Sequence, residues 1–153
     1  MRDLKMGTDI HLVIEAKRNN KWCFVASDVC SYSSDNKFTY YECSINPQII
    51  SLLSSRNYVF FGIISGVRGS LNPIQITRGL PNDMSDRCRE YHSHSDHNEG
   101  YVTLTELLNY DWDQIVPGTG FKVSYYISDI YNSILALKDL NEEEIRLVFH
   151  FDS

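Results

Sequence analysis

Apolar and polar positions alternate over residues 8–17, with Ile10, Leu12 and Ile14 on one side and Asp9, His11, Val13 and Glu15 on the other. That period of two predicts a half-buried strand. Arg18, Asn19 and Asn20 supply turn residues, and residues 21–26 read as the returning strand of a hairpin. Residues 27–45 are polar, rich in Ser and Tyr and weakly periodic, hence a long loop or a poorly marked strand pair. Asn46 and Pro47 form a helix start, a cap residue followed by proline at the first helical position. Ile49, Ile50, Leu52 and Leu53 would be the apolar side of that helix. Residues 58–67 are apolar almost all round and end near Gly66, which predicts a buried helix with a glycine stop.

Residues 68–100 carry little apolar content and are punctuated by Pro73 and Pro81; only a short helix over about residues 83–91 is expected. Such long polar excursions in a compact domain are commonly binding loops or disordered. Thr103, Leu104, Thr105 and Glu106 then form a capping box, and Val102 stands where a hydrophobic staple would meet Leu107, so a short helix should run through Asn109. Residues 117–120, Pro-Gly-Thr-Gly, read as a linker. Val123, Tyr126, Ile127, Ile130, Tyr131, Ile134 and Leu135 fit the helical period and predict one helix. Ile145, Leu147, Phe149 and Phe151 alternate with Arg146, Val148, His150 and Asp152, a C-terminal strand. The predicted class is α+β: a small, mainly antiparallel sheet that includes the N- and C-terminal strands, with helices packed on one face. Residues 1–153 are expected to form a single domain, with residues 1–5 a disordered extension.

The length of 153 residues supports this, since a chain of that size buries roughly 68–70% of the surface it exposes unfolded. Its 42% hydrophobic and 22% charged residues are ordinary for a globular domain, and a net charge of −6 argues against a partner that is duplex DNA or an anionic membrane. The longest apolar run, residues 58–64, falls far short of the roughly 18–20 residues that span a bilayer. Cys23, Cys30, Cys43 and Cys88 have no C-x-x-C spacing, so neither a zinc knuckle nor a redox pair is indicated. Free thiols and the absence of a signal-peptide pattern lead to the expectation of a cytoplasmic location.

The densest chemistry is His92-Ser93-His94-Ser95-Asp96-His97, three of five histidines within six positions. Histidines two apart in an extended segment project to one side, so the string crowds potential ligands into one loop. It also resembles the H-x-H-x-D-H metal motif of metallo-β-lactamase-fold hydrolases. That fold delivers its motif from an apolar strand and needs two halves of sheet. Here residues 86–91 are charged and helical in character, and too few strands are available, so the fold implication is rejected. A local site for zinc or manganese stays open, using His92, His94, Asp96 and His97 with Asp9 and His11 as weaker candidates. The plain alternative is a solvated polar loop that needs no cofactor.

Asp9 and His11 share the polar side of the first strand, where a structural Asp–His pair and a catalytic or ligand role are about equally open. If the terminal strands are neighbours, His11 and His150 approach each other. Arg56, Arg68, Arg78, Arg87 and Arg89 all fall between residues 56 and 89, a set suited to phosphate recognition or to pairing with Asp83, Asp86 and Glu90. Trp112, in Tyr110-Asp111-Trp112-Asp113, would wall a pocket or seal the core.

Several segments in order resemble a family of small bacteriophage and bacterial proteins that typically open with Met-Gly-Cys-Asp-Ile-His. They are residues 6–11 (Met-Gly-Thr-Asp-Ile-His), 56–61, 66–68, 78–85, 104–108 with 110–112, and 146–152. The family is largely uncharacterised, so the resemblance implies provenance better than activity. Thr8 stands where the family has Cys, and the family's Asp-x-His-Ser before the short capped helix aligns with His97, not with His92 or His94. Combined with the arginine set, this leads to a first expectation: a phage-encoded anti-defence accessory protein. It would bind and sequester a small anionic, nucleotide-type signal of host immunity through Arg56, Arg68, Arg78, Asp83, Ser85, His97 and Trp112, as a monomer or homo-oligomer. No catalytic set is legible from the sequence. The alternatives are a metal-dependent phosphoesterase or nucleotide hydrolase, and a protein inhibitor of a host enzyme.

Overall fold

The computed structural model describes residues 7–27, 30–32, 38–40 and 49–152. Its strands are β1 (Asp9–Arg18), β2 (Lys21–Ser27), β3 (Cys30–Tyr32), β4 (Phe38–Tyr40), β5 (His97–Thr103) and β6 (Glu144–Asp152). Its helices are α1 (Ile50–Ser54), α2 (Tyr58–Ser65), α3 (Asp86–Tyr91), α4 (Leu104–Leu108), α5 (Val123–Tyr126) and α6 (Ser128–Leu137). Four antiparallel strands form one sheet in the order β2-β1-β6-β5, and β3 pairs with β4 separately. The terminal strands are therefore neighbours at the middle of the sheet, and the fold is α+β. The ambiguous 27–45 stretch contains a strand pair; the expected cap at Asn46 and Pro47 and the extension at residues 1–5 lie outside the described residues.

The apolar phase of each strand decides which face it buries. Ile10, Leu12, Ile14 and Ala16 of β1 join Ile145, Leu147, Phe149 and Phe151 of β6 in the main core, under Phe60, Phe61, Ile63 and Ile64 of α2 and Ile130 and Ile134 of α6. Helix α2 stops where glycine permits: Gly66 takes φ +76° and its N–H reaches Gly62 O. Gly62 is needed for a different reason, since a Cβ there would lie 2.5 Å from Gly69 Cα in the loop packed on the helix. The capping box at Thr103 forms as the residues specify, with Val102 and Leu107 both fully buried.

Two elements differ from expectation. The single helix predicted over residues 123–135 is broken at Ile127, whose φ −119° and ψ 49° separate α5 from α6. The break lets Val123, Ile127 and Ile130 all reach the core while Tyr126 swings out to about half exposure. Periodicity registers the buried positions but not the kink between them. Residues 117–120 are not a linker but the tip of a small hairpin, with Ile115 bridged to Lys122 and Val116 N–H bonded to Phe121 O. Among the described residues no helix is long and apolar enough to cross a membrane.

The second face of the sheet is covered as well, by α3 and the loop before it. Val13 and Val148 pack there against Met84 and Cys88. The anchor is an ion pair. Glu15 is wholly buried and Arg146 is 4% exposed, and they are cross-strand partners. Arg146 Nε donates to Glu15 Oε1 (2.9 Å), Arg146 Nη1 donates to Asp83 Oδ1 (2.9 Å), and Ser85 N–H donates to Glu15 Oε2 (2.8 Å). The guanidinium lies 3.9 Å from the Trp22 ring centroid on its other side. Removing one partner of a buried pair leaves the other charge stranded, at a cost of about 3–5 kcal/mol, whereas replacing both by apolar groups is often neutral. Arg146→Met is thus expected to lose about 3–5 kcal/mol in chemical denaturation, and Glu15→Leu/Arg146→Met to recover most of it. A double variant as unstable as the single one would show that the pair does not act as a unit.

Candidate functional site

On this second face β1 and β6 present a ladder of directly opposed residues: Asp9 with Asp152, His11 with His150, Val13 with Val148, Glu15 with Arg146. The two valines and the ion pair are covered by α3 and its approach. The end of the ladder beyond them holds the titratable residues. His11 and His150 stack with ring centroids 4.8 Å apart and 18° between planes. His92, at the end of α3, closes over His150, with its Nδ1 2.6 Å from His150 Nδ1 and its Nε2 3.1 Å from Val148 O. His11 Nε2 lies 2.5 Å from Asp152 Oδ2.

These distances fix where the protons are. A carbonyl oxygen only accepts, so His92 Nε2 carries a hydrogen and donates to Val148 O. Burial pushes His92 down to about 3, helped by neighbouring His150, so the ring is neutral and its Nδ1 is an acceptor. His150 Nδ1 must then donate to it. Burial, and next the charge of His11, push His150 down to about 4 against the pull of Asp152, Glu99 and Asp96. His150 is therefore neutral too, and its Nε2 keeps a lone pair. The carboxylate of Asp152 accepts from His11 Nε2, so Nδ1 is the nitrogen of that ring with no partner among the described residues. Two neighbouring imidazoles thus each have one nitrogen held by an acceptor and one nitrogen unbonded among the described residues.

The surroundings are acidic. Strand β5 pairs His97 with Phe151 and Gly100 with Phe149, so Asn98 and Glu99 bulge opposite the single residue His150, with Asn98 at φ +53°. Bulges of this kind re-aim side chains beside functional sites. Here the bulge and the preceding turn bring Glu99 and Asp96 close enough for their charge to act on His150. Ser95 Oγ donates to Glu99 Oε2 (2.8 Å). At the rim, Arg56 Nε donates to Asp9 Oδ1 (2.8 Å), and its guanidinium packs on Gly7, where a Cβ would lie 2.5 Å from Nη1.

The predicted site residues scatter. His92 and His11 enter the cluster, but the six-residue string divides: His94 is exposed, and the His97 ring stacks 6.3 Å from Phe151, which belongs to the main core on the opposite side of the sheet. His97 Nδ1 lies 2.7 Å from Asn98 Oδ1. The arginines do not form a shared anion pocket. Arg56 is held by Asp9, Arg78 makes a bidentate pair with Glu106, and Arg68 lies over the Tyr58 ring at 5.1 Å. Asp83 is tied to Arg146, and Ser85 caps α3 by accepting from Cys88 N–H. Those two line an open cavity of about 570 Å³ with Lys17, Lys21, Trp22 and Asp86, and none of the other five expected ligand residues lines it. Trp112 seals the core, its Nε1 donating to Leu107 O at 2.7 Å. Among the described residues no three His, Cys, Asp or Glu side chains already stand around one point as metal ligands do. Burial pushes the Cys88 thiol up, so it is no nucleophile.

Asp152 and Glu99 were not expected from the sequence. A signal for Asp152 exists: Asp9-x-His11 at one end of the chain is mirrored by His150-x-Asp152 at the other, the order that antiparallel pairing superimposes. No model of a known protein family, no curated protein and no solved structure matches the chain, so its chemistry rests on this geometry.

Because both buried imidazoles have folded values below the ordinary 6.5, the stability they permit is complete above pH 6.5. It falls as acid protonates the unfolded chain first, and the fall levels off near the folded values. Thermal melts in chelator-containing buffer should therefore decline from about pH 6.5 toward pH 4. His92→Gln, which keeps a donor and an acceptor without titrating, should make that decline shallower. An unchanged slope would mean that His92 is not buried neutral.

Proposed function

We propose that the protein hydrolyses a small phosphoester at the histidine-lined end of the second sheet face. One observation carries this reading: the rings of His11 and His150 are stacked, Asp152 and His92 fix one nitrogen of each, and His11 Nδ1 and His150 Nε2 have no partner among the described residues. Structural histidines in a sheet satisfy both nitrogens or face water. Here two partners orient two rings and leave their basic nitrogens available, which is the arrangement acid–base chemistry uses. Arg56 stands at the rim of the ladder with its charge paired to Asp9. In the reaction a water held at these nitrogens forms a bond to phosphorus, and the bond from phosphorus to the leaving oxygen breaks. The proton drawn from the water ends on the leaving oxygen.

The test is incubation of the purified protein with phosphomonoesters, phosphodiesters, cyclic nucleotides and ADP-ribose-derived nucleotides, with products read by mass spectrometry. At least one should be turned over, and His11→Ala or His150→Ala should slow that turnover roughly 100-fold or more. His94→Ala and His97→Ala should leave it near the starting rate. Intact nucleotide released from heat-denatured protein would replace hydrolysis by sequestration. A panel neither retained nor changed would move the function to a protein partner.

A further inference from the structure

Resting on that reading of the site, we propose that His11 Nδ1 and His150 Nε2 are ligands of one divalent transition-metal ion, with a carboxylate of the turn before Gly100 as the third protein ligand. Charge favours a cation here. The end of the ladder gathers carboxylates around the two imidazoles: Asp152 beside His11, and Asp96 and Glu99 close enough for their charge to act on His150. The neighbouring cation, Arg56, is already paired with Asp9. Carboxylates gathered in this way repel one another, and a bound cation offsets that repulsion.

The orientation of the two rings also suits a metal. A metal-ligating imidazole characteristically donates its other N–H to a carboxylate or another acceptor, which fixes the tautomer and raises the basicity of the ligating nitrogen. His11 does this to Asp152, and His150 does it to His92, which is itself locked by Val148 O.

A ligand shell can be completed from neighbouring residues. Cross-strand partners carry their side chains on one face, so the two rings reach the same space, with centroids 4.8 Å apart. Asp96 is exposed, and Glu99 sits on the bulge opposite His150, so either side chain can swing in to give two nitrogens and one oxygen. Two histidines and a carboxylate with an open position form a set that suits zinc and leaves room for a water. That water, its pKa lowered by the metal, becomes the attacking group of the proposed hydrolysis, and its proton passes to the carboxylate that is not ligating.

Metal binding is measurable without any substrate. The full chain, stripped with a chelator and dialysed, is titrated with ZnCl2 by calorimetry and with CoCl2 by visible absorption. The expected result is one equivalent per chain, lost in His11→Ala and in His150→Ala, and weakened about 10–100-fold in Asp152→Asn, which touches no metal. His94→Ala and His97→Ala should bind as the unaltered chain does. Should His150→Ala fail to fold by circular dichroism, the more exposed His11→Ala decides. Absence of one-equivalent binding, or binding that survives His11→Ala but not His94→Ala or His97→Ala, overturns the proposal. Turnover undiminished in chelator overturns the metal and leaves the hydrolase reading. Metal bound through His11 and His150 with no phosphoester consumed does the reverse.

Discussion

The buried pair between Glu15 and Arg146 is the interaction on which the second face of the molecule depends. A buried ion pair contributes little net stability, because desolvating two charges offsets most of their attraction. Its effect here is positional. Glu15 spends one oxygen on Arg146 and the other on the backbone of Ser85, while Arg146 reaches past it to Asp83. The segment that leads into α3 is thus bonded to the two central strands at one point. From there α3 lays Cys88 on Val13 and Val148 and ends at His92. An apolar pair at those positions would bury as much surface but could not specify where residues 83–85 sit. If that segment slid by one residue, His92 would lose both Val148 O and His150.

This order of dependence explains how much of the architecture was legible. The strands and α2 are local facts: Ile10, Leu12 and Ile14 alternate, Ile145 to Phe151 alternate, and residues 58–65 are apolar up to Gly66. The capping box at Thr103 is written in four consecutive residues and forms as written. The second face is different, because its cover is a largely polar stretch held, beside the contacts of Met84 and Cys88, by an ion pair between residues 131 apart in sequence. Polar residues announce solvent, and Glu15 and Arg146 read as the wet sides of two strands. Their burial becomes visible only when β1 and β6 are neighbours in register.

The candidate site was half legible for the same reason. His11 and His150 were expected to approach only on the condition of neighbouring terminal strands, and the register meets that condition by setting them directly opposite. The run from His92 to His97 suggested one cluster because its residues are close in sequence. The chain, however, turns between Ser93 and Asp96 and then enters β5, so His92 and His97 end on different sides of the sheet. Sequence density reported the neighbourhood and misassigned the members. Asp152, silent in a local reading, follows from pairing one Asp-x-His with its mirror image.

The arginines show how charge in a sequence differs from potential in a structure. Five fall between residues 56 and 89 in a chain of net charge −6 and suggest a basic pocket. In the fold, Arg56 and Arg78 each face a carboxylate at hydrogen-bond distance, as does the more distant Arg146, so their fields are largely cancelled where they stand. What survives is the opposite: imidazole nitrogens with acidic neighbours at that end of the β1–β6 ladder. A phosphoester is itself an anion and would be repelled by such a surface. Binding one there requires a positive charge that the side chains of the cluster do not supply, since protonating His150 is opposed by its burial. The same two nitrogens that make the site unattractive to an anion are those a divalent cation would bind, so attraction of the substrate and activation of the water reduce to a single requirement.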